Sequence, residues 1–290
     1  MKISIVTPSF NQAEFLEETI QSVLNQRHDD LEYIVVDGGS SDGSLSIIEK
    51  YSSSLTSWIS EPDSGQVEAV NKGMAMATGD ICAYLNSDDL YLPGTLSLVA
   101  QYFADNPACR WVCGDVIFFG SGHTTLYHRS NPPKRLVDGL LWEFHAPQPA
   151  MFWRRSGLEI SFDNSLNYCF DHDFYLRLLK SGITPHRLEQ PLAAYRLHHS
   201  SKTVAMAEKF DQEFDLLTDR YLKDLAWYDR RKVDATTAVR IAFQRAIDRD
   251  SPSPGESALM LGRAMLLSPA IVTRRAWWGT LRQLLRSLLA

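Results

Sequence analysis

The chain of 290 residues lacks several features that would sort it at once. It has only four cysteines, Cys82, Cys109, Cys113 and Cys169, and no Cys-x-x-Cys pair. The Cys109/Cys113 spacing has no matching second half, which argues against structural zinc. Buried small hydrophobes in a reducing compartment is the better reading. No apolar run approaches the length of a membrane span. The opening residues, Met1-Lys2-Ile3-Ser4-Ile5-Val6, read as a strand, too short and without the cleavage region of a secretory leader. A cytoplasmic protein is the expectation. Basic charge is not in excess either. The net charge of −6 argues against a general nucleic-acid binder. The turn after the first strand, Thr7-Pro8-Ser9-Phe10-Asn11, holds no glycine. A dinucleotide-dependent oxidoreductase would need Gly-x-Gly-x-x-Gly there.

Apolar residues make up 44% of the chain, enough for a sizeable core. The length allows one large domain, or a domain with an appendage. The chemistry gathers around Ile81-Cys82-Ala83-Tyr84-Leu85-Asn86-Ser87-Asp88-Asp89-Leu90. A short apolar run stops at two adjacent carboxylates, as a buried parallel strand would. In open α/β sheets, ligands bind just beyond the carboxyl ends of the strands. Neighbouring like charges are costly unless solvated or neutralised. A hard divalent ion, held by one or two carboxylates and by substrate phosphates, meets that need. The competing reading makes the Asp pair a cap on the helix near Leu92-Pro93-Gly94-Thr95.

The rest of the chain supplies a rhythm. Ile3–Val6 reads as a strand, and Ala13–Asn25 as a helix with Phe15, Leu16, Ile20, Val23 and Leu24 on one side. Glu32–Val36 is a second strand, ending at Asp37-Gly38-Gly39-Ser40-Ser41-Asp42-Gly43. Glycines there let backbone amides approach a ligand, and Asp42 or Ser41 caps the helix that follows. Trp58–Ser60 is a third short strand, ending at Glu61-Pro62-Asp63-Ser64-Gly65-Gln66, and a helix runs from Val67 to Ala77. Strand, helix, strand in this order predicts a parallel sheet with right-handed crossovers. Three successive strands thus end in acidic loops, at Asp37, at Asp63 and at Asp88 with Asp89. Leu96–Phe103 reads as a helix and Trp111–Phe119 as a strand or hairpin. Ser121–Lys134 is polar and loop-rich, and His145–Arg155 runs from a turn into a strand. Asp171 and Asp173 open a helix that stops at Ser181-Gly182, where either carboxylate suits the free amides of the first turn. Leu192–His199 alternates weakly, as a late edge strand. Its histidines face either a site or solvent.

From Thr203 onward the composition changes. Met206–Leu225, Ala235–Ile247, Ser257–Leu267 and Val272–Leu289 read as helices, with Asp250–Gly255 as a linker. A boundary near Lys202 divides residues 1–202 from a helical extension, 203–290. The last helix carries Arg274, Arg275, Arg282 and Arg286 and no acid. Trp277, Trp278, Leu281, Leu284, Leu285, Leu288 and Leu289 give it a broad apolar side. Residues 272–289 therefore suit an anionic membrane surface. The alternative is a helix docked on the body or on a second subunit, giving a homo-oligomer.

Taken together, the loops of the first two hundred residues resemble an inverting family 2 glycosyltransferase of the GT-A fold. The match rests on an ordered set: Thr7-Pro8-Ser9-Phe10-Asn11 with Leu16 to Gln26; Val35-Val36-Asp37-Gly38-Gly39-Ser40-Ser41-Asp42-Gly43; Glu61-Pro62-Asp63-Ser64-Gly65 with Asn71-Lys72-Gly73; Leu85-Asn86-Ser87-Asp88-Asp89; Phe170-Asp171-His172-Asp173 to Arg177; and Tyr195-Arg196-Leu197-His198 with Ser200 and Ser201. The third and fourth pieces are typical of a bacterial polysaccharide-assembly branch. The resemblance implies an α/β fold with a Rossmann-like, mainly parallel sheet flanked by helices, followed here by the C-terminal α-helical extension.

It also implies roles. Thr7, Pro8 and Ser9 line a uracil and ribose pocket, and Asp37 accepts from the base or ribose. Asp63, Lys72 and Ser87 lie near the nucleotide. Asp88, helped by His198, holds Mn2+ or Mg2+ against the diphosphate. Asp171 is the general base. Asp89, His145 and Gln148 are candidates for the acceptor site. Asn86 stands where the usual motif has its first Asp, and Phe170 precedes Asp171 where many relatives have Glu, so Asp173 is a rival base. The expected partners are a nucleotide sugar, by preference a UDP-sugar, and a glycan or lipid-linked acceptor, at the inner face of the cell membrane. A sugar nucleotidyltransferase would be expected to carry a Gly-rich loop after the first strand. A catalytically silent scaffold of an assembly complex would have no use for Asp37, Asp88 and Asp171.

Overall fold

The computed structural model of the chain describes residues 1–120, 125–141, 146–199, 201–247 and 254–289. Among them one nine-stranded sheet is formed by β1 (Ile3–Ser9), β2 (Leu31–Asp37), β3 (Ser57–Ser60), β4 (Ile81–Tyr84), β5 (Leu90–Tyr91), β6 (Trp111–Phe119), β7 (Leu126–His128), β8 (Met151–Arg154) and β9 (His186–Arg196). The order is β3-β2-β1-β4-β8-β6-β9-β5, with β7 hairpinned onto β6. β3, β2, β1 and β4 run parallel, so their acidic loops leave from one edge, as the rhythm of the sequence predicts. Beyond β4 the sheet turns mixed: β8 is antiparallel to both β4 and β6.

The helices that connect the strands are α1 (Leu16–Leu24), α2 (Ser44–Tyr51), α3 (Gln66–Met76), α4 (Thr95–Asp105), α5 (Leu136–Gly139) and α6 (Phe170–Lys180), and α7 (Lys202–Ala205) follows β9. Leu16, Ile20 and Val23 of α1 recur at helical spacing and are buried in one cluster with Ile3, Ile5, Tyr33 and Val35 of the sheet. Each such side chain contributes roughly 1.5–3 kcal/mol by leaving water. Every residue of β1 is buried, its Ser4, Thr7 and Ser9 included. All four cysteines are free and buried, and burial pushes the Cys113 thiol up to about 12.

Three local expectations need correction. The late strand is not an edge: β9 starts at His186, pairs with β6 in parallel, and is flanked on its other side by the two-residue β5. Pro191 hid its first half, because proline cannot donate to a ladder. The structure seats Pro191 opposite Asp115, where the register shifts. The loop-rich stretch before Lys134 contains β7, whose Leu126 and Tyr127 stay exposed. Helix α2 is capped by Gly43, at φ +115°, and not by Asp42 or Ser41. Asp42 instead takes the Ser44 amide at 3.0 Å and the Ala13 amide at 2.9 Å, tying two loops together.

At the amino end of the sheet, Glu32 of β2 is buried. It accepts from Lys2 Nζ at 2.7 Å, from Ser4 Oγ, and from the Thr78 amide and hydroxyl at 2.6 and 2.7 Å. Burial by itself would raise its pKa. The donors overcome that and hold it at about 2.

The chain divides into two compact units, Met1–Lys134 with His145–Phe214, and Arg135–Phe144 with Asp215–Ala290. The division lies later than the Lys202 boundary, because α8 (Ala207–Leu222) begins in one unit and ends in the other. The second unit also holds α9 (Trp227–Ile247), α10 (Pro254–Leu267) and α11 (Arg275–Leu289). Ala235, Ala238, Val239, Leu261, Ala264, Trp277 and Leu284 form its own core. Helix α9 starts eight residues before the expected Ala235. Of the expected linker, Pro254 and Gly255 belong to α10, and the rest lies outside the described residues.

Candidate active site

Parallel register brings Ser9, Asp37 and Ser60 into line across the carboxyl ends of three strands. Asp37 is fully buried. Its Oδ2 accepts from the amides of Gly39 and Ser40 at 3.1 and 3.0 Å and from Ser60 Oγ at 2.8 Å. Gly38 faces Asp63: a Cβ at this position would stand 2.9 Å from the Asp63 carboxylate. The absent side chain lets the two acidic loops meet. Burial raises the Asp63 carboxyl, with Glu68 and Asp37 adding to it. Thr7, Pro8 and Ser9 are all buried within β1, and Thr7 Oγ1 lies 3.1 Å from the Tyr33 hydroxyl. Lys72 is held by Glu61 at 3.0 Å and Glu68 at 2.8 Å.

The turn after β4 is braced from several directions. Thr19 Oγ1 of α1 donates to the carbonyls of Ser87 and Asp89, both at 2.9 Å. Arg196, at the end of β9, donates from Nε to the Asp88 carbonyl and from its amide to Asp89 Oδ1, both at 2.9 Å. Asp89 is therefore turned inward and is 1% exposed, which corrects its place among acceptor-site candidates. Burial, then the neighbouring Asp88, raises its carboxyl well above the usual range. Asp88 points the other way, and its Oδ2 lies 3.0 Å from His198 Nε2. The two histidines divide between the two readings: His198 meets Asp88 and Phe15, while His199 is exposed.

Asn86 takes part in a chain of amides. Lys202 Nζ donates to Gln66 Oε1 at 2.9 Å, and Gln66 Nε2 to Asn86 Oδ1 at 2.7 Å. Gln148 donates to the Tyr84 carbonyl at 2.8 Å. Gln148 is 7% exposed, so it braces the end of β4 from below and does not sit open to an acceptor. His145 lies outside the described residues.

Helix α6 presents Asp171 in its first turn. Cys169 is its cap residue, without a side-chain bond, so neither Asp171 nor Asp173 caps the helix start. Glu213 ties down the segment just before the helix, accepting the amides of Asn167, Tyr168 and Cys169 at 2.7–2.8 Å. Asp171 accepts the amide of His172 at 2.7 Å. Loss of water pushes its carboxyl up to about 6, and Glu213 adds to the shift. Asp173, by contrast, is buried and bound to Arg177 Nε at 3.0 Å. Tyr84, the last residue of β4, lies 6.0 Å from the Phe170 ring and feels the charges of both Asp171 and Asp89. The head of α6 thus stands beside the Asp88 turn, which the Gln66–Asn86 bond joins to the Asp63 loop.

Sequence reading missed Gln66, Glu213 and Thr19, and the two bonds of Arg196 to the acidic turn. No local pattern marks them, since their partners lie 20 to 108 residues away. Among the described residues no three His, Cys, Asp or Glu side chains gather into a cation cage.

Comparison with known proteins finds glycosyltransferases. The putative teichuronic acid biosynthesis glycosyltransferase TuaG of Bacillus subtilis is 29% identical over 204 residues, 69% of this chain and 80% of its own. The crystal structure of Staphylococcus aureus TarS, residues 1–349, superposes with a TM-score of 0.63 at 19% identity, over 94% of this chain and 82% of that one. TarS has also been solved with UDP and with UDP-GlcNAc. Pyrobaculum calidifontis mannosyltransferase PcManGT, in complex with GDP-Man and Mn2+, gives 0.55 at 16% identity, over 99% and 86%. The fold is therefore of the GT-A type. The model of glycosyl transferase family 2 matches residues 4–161, more than half of the chain, and the protein belongs to that family.

Proposed function

We propose that the protein is an inverting, metal-dependent glycosyltransferase that moves a sugar from a UDP-sugar to a hydroxyl of a glycan or lipid-linked acceptor. The observation that carries this reading is Asp171. Its half-buried carboxyl, raised to about 6, opens α6, whose Phe170 ring lies 6.0 Å from Tyr84, the strand residue that leads into the Asp88 turn. A general base works best when its pKa lies near the working pH. The complexes of TarS with UDP and UDP-GlcNAc support a nucleotide-sugar donor, and the Mn2+ in PcManGT supports the metal.

In this reading Asp171 takes the proton of the acceptor hydroxyl as its oxygen attacks the anomeric carbon from the face opposite the diphosphate. The bond from that carbon to the diphosphate oxygen breaks, and the nucleoside diphosphate leaves with the electron pair. Asp88 and His198 offer an oxygen and a nitrogen side by side. That donor set fits a hard divalent ion completed by substrate phosphates, with no need of an all-protein cage. When bound, Mn2+ or Mg2+ supplies a Lewis acid for the charge growing on the diphosphate. Asp37 and Ser9 serve the nucleoside, and the amides at Gly39 and Ser40 are already fixed by Asp37.

A thermal-shift screen of nucleotide sugars, each with and without Mn2+, tests the reading. Uridine diphosphate sugars should raise the melting temperature, and only with the metal. A shift that ignores Mn2+, or that follows guanosine donors alone, would overturn the metal or the donor assignment respectively.

A further inference from the structure

The end of the chain has a charge pattern of its own. From Ser257 to Ala290 there are five arginines, Arg263, Arg274, Arg275, Arg282 and Arg286, and no acid or lysine. That segment is +5 in a chain of −6, which leaves −11 for residues 1–256.

Arg263 of α10 and Arg282 of α11 are exposed. On α11, Trp277, Thr280 and Leu284 are buried, Trp277 and Leu284 in the core of the helical unit. Two of the seven apolar residues expected to meet a membrane are thus already used within the unit. A helix docked in this way should be polar on its outer side. Instead Trp278 and Leu285 are 50% and 51% exposed, with exposed Arg282 between them at offsets of four and three. These spacings put all three on one stripe. Helix α10, packed against α11, repeats the motif: Leu259 and Leu266 are 69% and 79% exposed, with exposed Arg263 between them at the same offsets.

We propose that these two stripes dock the protein on an anionic lipid bilayer, with α10 and α11 lying along its surface. Trp278, Leu285, Leu259 and Leu266 enter the headgroup and acyl boundary, and the arginines meet lipid phosphates. Long arginine side chains keep their heads in the polar layer while their stems lie on apolar surface. Among the described residues no helix is long and apolar enough to cross a membrane, so the contact is peripheral. A second copy is a poor occupant. A two-fold interface presents the same patch from both sides and would set Arg263 and Arg282 against like charges.

Flotation of the full chain with vesicles tests the proposal. Vesicles of phosphatidylcholine with phosphatidylglycerol should retain at least about tenfold more protein than phosphatidylcholine alone, and the difference should shrink as salt rises toward about 0.5 M. The double substitution Arg263→Glu with Arg282→Glu should abolish the preference, and Trp278→Glu with Leu285→Glu should abolish binding. Both variants change exposed side chains and should melt as the parent does. Equal flotation on both vesicle types, or none, overturns the proposal. So does a dimer seen by light scattering that the arginine pair of substitutions dissolves, since the stripes then belong to a second copy. The salt series needs no variant, so a misfolded substitution leaves the proposal testable.

Discussion

Glu32 and Asp171 are both shielded carboxylates of the sheet unit, and the protein treats them in opposite ways. Glu32, at the amino end, receives hydrogen bonds from Lys2, Ser4 and both donors of Thr78, and its pKa falls to about 2. Asp171, near the carboxyl end, accepts the amide of the next residue, and its pKa climbs to about 6. Desolvation acts on both; the number of donors decides the sign. A carboxylate with every lone pair occupied is locked as an anion and holds β1, β2 and the Thr78 turn together. One that is left short of donors can accept a proton at neutral pH. The difference separates scaffold from chemistry within one sheet, and it can be broken from either side.

The largest effect should come from Asp171→Asn. Removing a general base typically costs about 10²- to 10⁴-fold, so initial rates of sugar transfer should drop by that much while the melting curve stays in place. Asp173→Asn is the matched control. Asp173 is already bound to Arg177, so its loss should lower stability and leave turnover within about threefold of the parent. The reverse result, with Asp173→Asn the dead variant, would move the base two residues along α6.

At the other end, Glu32→Ala strips Lys2 of its buried partner and leaves a cavity under β2. Breaking a buried ion pair costs about 3–5 kcal/mol, and the Lys2 side chain is 36% exposed, so the lower end applies. Urea melts should show about 3 kcal/mol of lost stability, with unchanged turnover per folded molecule. An active-site effect without a stability effect would erase the distinction between the two ends.

Next in size is Asp88→Ala. Removal of one of two candidate ion ligands should weaken Mn2+-dependent UDP affinity by about tenfold or more, since metal charge stabilisation is worth several kcal/mol. Calorimetry that finds UDP binding unchanged in Mn2+ would detach Asp88 from the ion and leave His198 as a partner of structural kind.

How much of this could be read in advance follows the range of the interactions. β1 to β4 announced themselves through apolar runs that stop at Asp37, Asp63 and Asp88, because a strand and its terminal loop are local. Asp89 did not reveal that it faces inward. Its orientation is set by the Arg196 amide, 107 residues on. At the start of α6 Asp171 takes the first-turn amide of His172, as a local reading allows, but the amides just before the helix go to Glu213, more than forty residues away. Pro191 concealed half of β9 because propensity weighs a residue alone, and the shift opposite Asp115 exists only once β6 is there. On α11 the composition showed a wide apolar side but could not say which part Ala235 and Val239 would cover.

The smallest effect is also the one that sets both ends against each other in a single experiment. A group whose folded pKa is raised destabilises the fold when ionised, so that penalty disappears as pH falls through it. For Asp171, raised from 3.8 to about 6, stability should increase as pH is lowered from 7 toward 5. Partial exposure limits the gain to roughly 1 kcal/mol. Glu32 has the opposite sign: its stabilisation is complete above 4.5 and is lost only as pH falls toward 2. Between pH 7 and 5 the protein should therefore grow slightly harder to melt while transfer slows, with half the activity left near pH 6. Asp171→Asn should flatten that part of the stability curve and leave the acid limb, below 4.5, where Glu32 puts it. If stability and activity fell together through pH 6, the slowdown would reflect unfolding, and Asp171 would have no claim to the proton.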